Sequence, residues 1–363
     1  MRIVLAGCPG AGKSTLFEVL AGREGGSAAR GTGLRIVHVP VPDERLDRLS
    51  AAWKPRKTTP ARLEFQDFEQ KSGPTYPALS PERREMLTRG DLIVLLVDLF
   101  SRSPEDWSDE AARQWREMAE EFALLDLATV EKRLERLNKA LKIGQKPAFP
   151  TEPELLERFR AALESGQSLR SFELSPEERV GVRGYGFLTA VQAFPAFNVS
   201  EDQLPAAGEW LTKISVEPAA PAWLGPARLV FSAEVERQIQ ELPSEEQPTF
   251  LEAFGLREPA VGQIIRIAYE LAGLHCFFTT GDDEVRAWSV RRGARAPEAA
   301  GEIHSDLEKG FVRAEVLAFE DWTRLGTMAA ARDQGALRLE GKEYVVRDGD
   351  LMNIRSGLAK SRG

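Results

Sequence analysis

Eight consecutive residues, Gly7-Cys8-Pro9-Gly10-Ala11-Gly12-Lys13-Ser14, constrain the fold of this chain more tightly than any other stretch of it. Two glycines enclose four residues and are followed by Lys and Ser. This is the P-loop pattern, which works only between a buried strand and the start of a helix. The flanks supply both: residues 2–6 form a short apolar run, and residues 13–21 read as a helix. Glycines let the loop wrap closely around a phosphate chain so that backbone N–H groups point inward, and Lys13 adds positive charge toward the β and γ phosphates. Ser14 is the expected Mg²⁺ ligand through its hydroxyl. The expected phosphate-binding set is Gly7, Pro9, Gly10, Ala11, Gly12, Lys13, Ser14 and Thr15.

Such an opening predicts an α/β domain. Further apolar runs recur at residues 36–41, 62–68, 92–99, 195–199 and 228–231, separated mostly by helical stretches. Strands alternating with helices imply a mainly parallel sheet covered on both faces. A second strand ending in an Asp commonly holds the metal through water, and residues 62–67 end in Asp67; Asp98, closing the run 92–97, is its rival. Either Asp could instead cap the turn after its strand.

Between residues 109 and 141 the pattern becomes a long charged helix. Trp115, Met118, Phe122 and Leu125 are spaced three and four apart, as are Val130, Leu134, Leu137 and Leu141. A second arm at residues 154–165 follows the breakers Gly144, Pro147, Pro150 and Pro153. Periodicity alone leaves two readings open, a helical hairpin inserted in the α/β domain or an amphipathic helix lying on its sheet. After a helix at residues 258–273, short strands are expected at 276–280, 284–290, 312–319 and 344–346, making a small mixed β-rich domain.

At 363 residues the chain is long enough for at least two domains, and 42% apolar with 29% charged residues is the composition of a folded globular protein. The longest apolar run, residues 92–100, is broken by Asp98 and falls well short of the roughly 20 residues needed to cross a bilayer. No membrane partner is expected, and with no signal-peptide pattern the expected location is the cytoplasm. Cys8 and Cys276 are far apart in sequence and read as reduced thiols. A net charge of −8 argues against a broad basic face for nucleic acid. A local RNA contact has one candidate, Arg286, Arg291, Arg292 and Arg295 around Trp288, although the sequence favours reading these as a solvated strand face.

Beyond the P-loop, several segments resemble one family, the Obg-like ATPases called YchF. Val39-Pro40-Val41-Pro42-Asp43-Glu44-Arg45-Leu46-Asp47 is similar to the stretch after switch I in that family, and Leu127-Ala128-Thr129-Val130-Glu131-Lys132-Arg133-Leu134 to the opening of its helical hairpin. Val285-Arg286-Ala287-Trp288, Ile303-His304-Ser305-Asp306-Leu307-Glu308-Lys309-Gly310-Phe311 and Tyr344-Val345-Val346-Arg347-Asp348-Gly349-Asp350 resemble its C-terminal TGS domain. The resemblance implies a G-domain-like P-loop NTPase with a parallel sheet, an inserted α-helical hairpin and a C-terminal β-grasp-like TGS domain. The implied divisions are 1–108 with 190–273 for the nucleotide domain, 109–189 for the hairpin, 274–357 for the TGS-like domain and 358–363 for a tail.

The family's variant of the guanine-reading element, Asn-x-x-Glu, is associated with adenine nucleotides, and Asn198-Val199-Ser200-Glu201 carries it. Losing the short carboxylate that grips guanine favours ATP over GTP. Phe231-Ser232-Ala233 resembles the last base-contacting loop, so the implied base-binding residues are Asn198, Ser200, Glu201, Ser232 and Ala233. The implied metal ligands are Ser14, Asp67 and Thr32, the last standing for the switch I threonine. The implied cofactor is Mg²⁺ with ATP or GTP, and the implied partner is the ribosome, in translation or stress regulation.

Switch II departs from the family. Asp67-Phe68-Glu69-Gln70 places Gln70 where the family has the glycine whose backbone N–H turns onto the γ-phosphate. Slow hydrolysis is the first expectation and a non-hydrolysing ribosome- or protein-binding adaptor the alternative. A P-loop kinase of a small metabolite rests on the P-loop alone.

Overall fold

A computed structural model describes residues 1–22, 27–28, 33–68, 81–211 and 229–357. Its strands are β1 (Arg2–Gly7), β2 (Ser27–Ala28), β3 (Leu34–Pro40), β4 (Lys57–Thr59), β5 (Arg62–Phe68), β6 (Leu92–Asp98), β7 (Gln192–Asn198), β8 (Leu229–Phe231), β9 (Leu274–Thr279), β10 (Glu284–Arg291), β11 (Phe311–Ala318), β12 (Arg338–Glu340) and β13 (Asp350–Ser356). Its helices are α1 (Lys13–Ala21), α2 (Glu44–Trp53), α3 (Pro81–Arg89), α4 (Trp107–Lys142), α5 (Glu152–Glu164), α6 (Pro176–Val182), α7 (Leu204–Leu211), α8 (Ala233–Glu241), α9 (Gln247–Ala253), α10 (Ala260–Leu271), α11 (Ala296–Ile303), α12 (Ser305–Lys309), α13 (Phe319–Leu325) and α14 (Met328–Asp333). Contacts gather the chain into two units, one drawn from Met1–Val39 and Glu64–Ile264, the other from Pro40–Leu63 and Ile265–Gly363.

The first unit is built on a sheet of order β2-β3-β5-β1-β6-β7-β8. β1 runs parallel to both β5 and β6, and β6, β7 and β8 continue parallel. Residues 92–97 are all buried, as a parallel strand covered on both faces requires. From β1 the chain goes to the edge on one side, returns inward through β3 to β5, and then crosses to β6 on the other side of β1. The carboxyl ends of β1 and β6 therefore flank a topological switch point, the place where open α/β sheets bind ligands.

Both readings of the long helix describe part of it. Trp115, Met118 and Phe122 of α4 bury against Val4, Ala6, Ile93 and Leu95 of the sheet. Further along, Val130, Leu134 and Leu137 form a separate core with Leu155, Leu156, Phe159 and Leu163 of α5. One apolar stripe thus serves two cores in succession. Between them, buried Asp126 accepts from Leu188 N, Thr189 N and Thr189 Oγ1, each at 2.8 Å, which ties α4 to the turn leading into β7.

The second unit has a mixed sheet of order β12-β11-β13-β9-β10-β4. β11 pairs antiparallel with β12 and β13, β9 pairs antiparallel with β10, and the β13–β9 and β10–β4 pairs are parallel. Its core gathers Phe277, Val290, Ala296, Ala299, Ala300, Ala314, Val316 and Met352. One edge comes from far upstream: Thr58 of β4 registers with Val285 of β10, and Thr59 Oγ1 donates to Glu284 at 2.5 Å. α2 belongs here too. Its Arg45 is held by Asp43 at 2.8 Å and Asp348 at 2.9 Å, and its Trp53 lies against Trp322 with ring centroids 5.3 Å apart.

This grouping differs from the expected divisions. Residues 40–63, read as following switch I within the nucleotide domain, join the C-terminal residues, and the division on the C-terminal side falls within α10 rather than at residue 273. The helical residues 109–189 stay in the unit of the P-loop. The strand expected at residues 344–346 is also corrected: Val345 makes only an isolated bridge to Arg295, and the strand forms at Asp350–Ser356. Tyr344 is held by its hydroxyl, which donates to Asp350 at 2.7 Å.

Candidate functional site

The loop after β1 takes its shape from its glycines. Gly7, Gly10 and Gly12 adopt φ of 145°, 84° and 90°, a region closed to most side chains. At two of them the space is closed as well. A Cβ on Gly7 would lie 2.3 Å from the Leu96 carbonyl oxygen of β6, and one on Gly12 would lie 2.4 Å from Asn198 Nδ2. Gly12 is the N-cap of α1, which has no side-chain cap and no acidic residue in its first turn. The first N–H groups and the positive end of the helix dipole are therefore left for an anion.

Lys13 is 8% exposed, and its Nζ donates to the carbonyls of Gly7 at 3.0 Å and Cys8 at 2.6 Å, spanning the loop. Burial, then the nearby Arg83 charge, bring its pKa down to about 8, against the opposing pull of Asp67 and Cys8. A phosphate here would restore full protonation. Ser14 is exposed, Thr15 is half-buried, Pro9 and Gly10 are exposed and Ala11 is buried.

Asp67, at the end of β5, is 1% exposed, and its charge reaches Lys13. Asp98 ends β6 in register with Asn198 of β7. Its Oδ1 is buried with no hydrogen-bond partner among the described residues, and burial raises its pKa. Asp67 is already engaged: Arg35 of β3 donates Nη2 to Asp67 Oδ2. Neither Arg35 nor Arg83 was singled out by the sequence. The one available signal was a charge inside the apolar run Leu34-Arg35-Ile36-Val37. Thr32 and the switch II residues Glu69 and Gln70 lie outside the described residues.

On the opposite flank, Asn198 is 5% exposed at the end of β7. Its Nδ2 donates to the Ala11 carbonyl at 3.2 Å, and its Oδ1 accepts from Ala233 N at 2.9 Å. One amide therefore ties the P-loop to the start of α8, and brings Gly12, Asn198 and Ala233 together. Ser232 is buried, and its hydroxyl caps α8 by accepting from Val235 N at 3.5 Å. Ser200 donates to Asp202 at 2.5 Å, and the exposed Glu201 accepts from Gln238 at 3.1 Å.

The four arginines around Trp288 separate in the second unit. Arg286 stacks on Trp288, 3.8 Å from the ring centroid, and Arg295 pairs with Glu343 at 2.6 Å. Arg291, the last residue of β10, and Arg292 after it are exposed.

With this geometry in view, comparison with known proteins is direct. The family model YchF-GTPase_C, described as a protein of unknown function (DUF933), matches residues 274–357. The ribosome-binding ATPase YchF of Bacillus subtilis is 37% identical over 361 residues, covering 97% of this chain and 98% of the relative. The Escherichia coli protein of the same name is 36% identical over 363 residues, covering 96% of this chain and 97% of its own. The solved Schizosaccharomyces pombe YchF GTPase superposes with a TM-score of 0.78 at 28% identity, covering 98% of this chain and 97% of that one.

Proposed function

Since the chain belongs to the YchF family of Obg-like ATPases, we propose that it binds ATP, or GTP more weakly, at the β1–α1 loop and hydrolyses it slowly. The observation that carries this is the uncapped start of α1 behind three glycines of positive φ, with Lys13 strung across the loop. The proposed phosphate site is Gly7 to Thr15 without Cys8, and the proposed base side is Asn198, Ser200, Glu201, Ser232 and Ala233. Asn198 and Ala233 meet the P-loop, which supports a base held beside it.

The residues present suit Mg²⁺. Ser14 and Asp67 offer hard oxygens, and Mg²⁺ takes one or two such protein oxygens together with phosphate oxygens and water. Bound there, it would neutralise phosphate charge; Lys13 and the α1 N–H groups orient the same phosphates. Thr32 completes the proposed metal set.

The proposed setting is the ribosome in the cytoplasm, which is the partner in the names of the bacterial relatives. No helix among the described residues is long and apolar enough to cross a membrane. Within the two units, residues 109–189 act as a helical insertion and 274–357 as a TGS-like domain with a tail at 358–363. A local RNA contact is proposed through Arg286, Arg291, Arg292 and Arg295, of which Arg286 stacks on Trp288 and Arg295 pairs with Glu343.

A second reading follows from Gln70: a non-hydrolysing adaptor that binds nucleotide and ribosome without turnover. Phosphate release measured with and without purified ribosomes separates the two. Release that Lys13→Ala abolishes supports the ATPase; tight nucleotide binding with no release under either condition supports the adaptor.

A further inference from the structure

Asp67 does not face the phosphate site as a bare carboxylate. Arg35 reaches it from β3, packs its guanidinium 4.7 Å from the Phe17 ring of α1, and has Glu18 3.9 Å away as a second, exposed acidic neighbour. The Asp67 side chain is 2% exposed and that of Arg35 17%, so water screens the pair poorly. Arg35 Nε is buried with no partner among the described residues, so contact with Asp67 and Phe17 holds the group in place rather than a saturated hydrogen-bond network. Arg35 thus sets a positive charge directly beside Asp67.

Resting on the reading of this loop as a nucleotide site, we infer that Arg35 is a built-in counter-ion for Asp67 that takes over part of the charge-neutralising role of Mg²⁺. Two consequences follow from charge alone. Without metal, the triphosphate does not meet an uncompensated buried carboxylate, so nucleotide binding survives. With metal, Mg²⁺ shares Asp67 with a cation already seated there, so it adds less affinity than it would at a free carboxylate. The binding site is thus tuned to a weak dependence on Mg²⁺, and Arg35 sets that dependence without touching the reacting atoms.

The test is calorimetric titration of the full chain with a non-hydrolysable ATP analogue, in EDTA and in excess Mg²⁺, for the wild type, Arg35→Gln and Arg35→Lys. The quantity read is the ratio of the two dissociation constants. Losing one partner of a poorly screened ion pair should raise that ratio about tenfold or more in Arg35→Gln, by weakening binding in EDTA and strengthening it in Mg²⁺. Arg35→Lys, which keeps the charge, should stay close to the wild type. An unchanged ratio in a folded Arg35→Gln overturns the inference while leaving the nucleotide site standing. If Arg35→Gln does not fold, the wild type alone still decides: binding abolished by EDTA overturns it, and binding retained supports it. No nucleotide binding by the wild type in either condition overturns the site itself and this inference with it.

Discussion

Replacing Asn198 by Asp changes the chemistry of one atom and almost nothing of the side chain's shape. The orientation of the amide is fixed by its partners, since Ala233 N–H can only donate to Oδ1 and the Ala11 carbonyl can only accept from Nδ2. In Asn198→Asp the donor becomes a carboxylate oxygen facing a carbonyl oxygen at about the same 3.2 Å, in a side chain that is 5% exposed. One hydrogen bond worth about 1 kcal/mol is lost, and two buried acceptors left facing one another add a further ~1–3 kcal/mol. The expected destabilisation is therefore about 2–4 kcal/mol near neutral pH, read from urea unfolding followed by tryptophan fluorescence. The same geometry sets a pH signature. Burial and the facing carbonyl raise the pKa of the introduced carboxyl above its unfolded value, and the protonated form can again donate to Ala11. Its penalty is thus largest above the raised pKa and shrinks as pH falls toward the unfolded value of about 3.9. A loss below about 0.5 kcal/mol, or an equal loss at about pH 7.5 and about pH 5, would refute the claim that this amide fastens the P-loop to α8.

Other outcomes follow from single positions. Gly7→Ala sets a Cβ 2.3 Å from a backbone oxygen of the central sheet, which cannot swing away, and should cost about 3 kcal/mol or more in thermal unfolding with loss of nucleotide binding. Lys13, with its pKa lowered to about 8, should take up protons when nucleotide binds near pH 8. Binding enthalpies in buffers of different ionisation heat should therefore diverge there and converge in Lys13→Ala. In the free protein that lowered pKa makes the folded state bind fewer protons than the unfolded, so the contribution of Lys13 to stability grows as pH rises from about 8 toward 10.5. Asp126 runs the opposite way: burial raises it to about 6, so its contribution is lost as pH rises from 3.8 through about 6. Asp126→Asn should flatten that slope in unfolding experiments, while costing about 1–3 kcal/mol near neutral pH because an amide cannot accept from all three donors.

What the sequence made legible had local causes. The β1–loop–α1 opening and the apolar runs that became β6 and β7 were readable because a parallel strand buried on both faces is apolar along its length, whereas β5 showed itself through Leu63, Phe65 and the Asp67 near its end. The two cores beneath α4 were present in its heptad-like spacing, but periodicity does not say which partner each turn meets. β13 was missed because Asp350, Asn353 and Arg355 dilute its strand character. Its buried Leu351 and Met352 are explained only by its neighbours β11 and β9. β4 and α2 were misplaced for the same reason: the partners of Arg45 and Thr59, Asp348 and Glu284, lie more than two hundred residues away in sequence. At the proposed site, the motif pointed to the glycine loop and Lys13, and the family resemblance to Asn198. The charge of Arg35 inside an apolar run was visible, but its pairing with Asp67 was not, since only the fold brings β3 beside β5.

Whether residues 7–15 hold a nucleotide is read from calorimetric titration of the full chain with ATP and with GTP in the presence of Mg²⁺, with Lys13→Ala as control. Binding should be saturable, tighter for ATP than for GTP and lost in Lys13→Ala. No binding of either nucleotide by a folded wild-type chain, or binding that Lys13→Ala leaves unchanged, would contradict the proposed site.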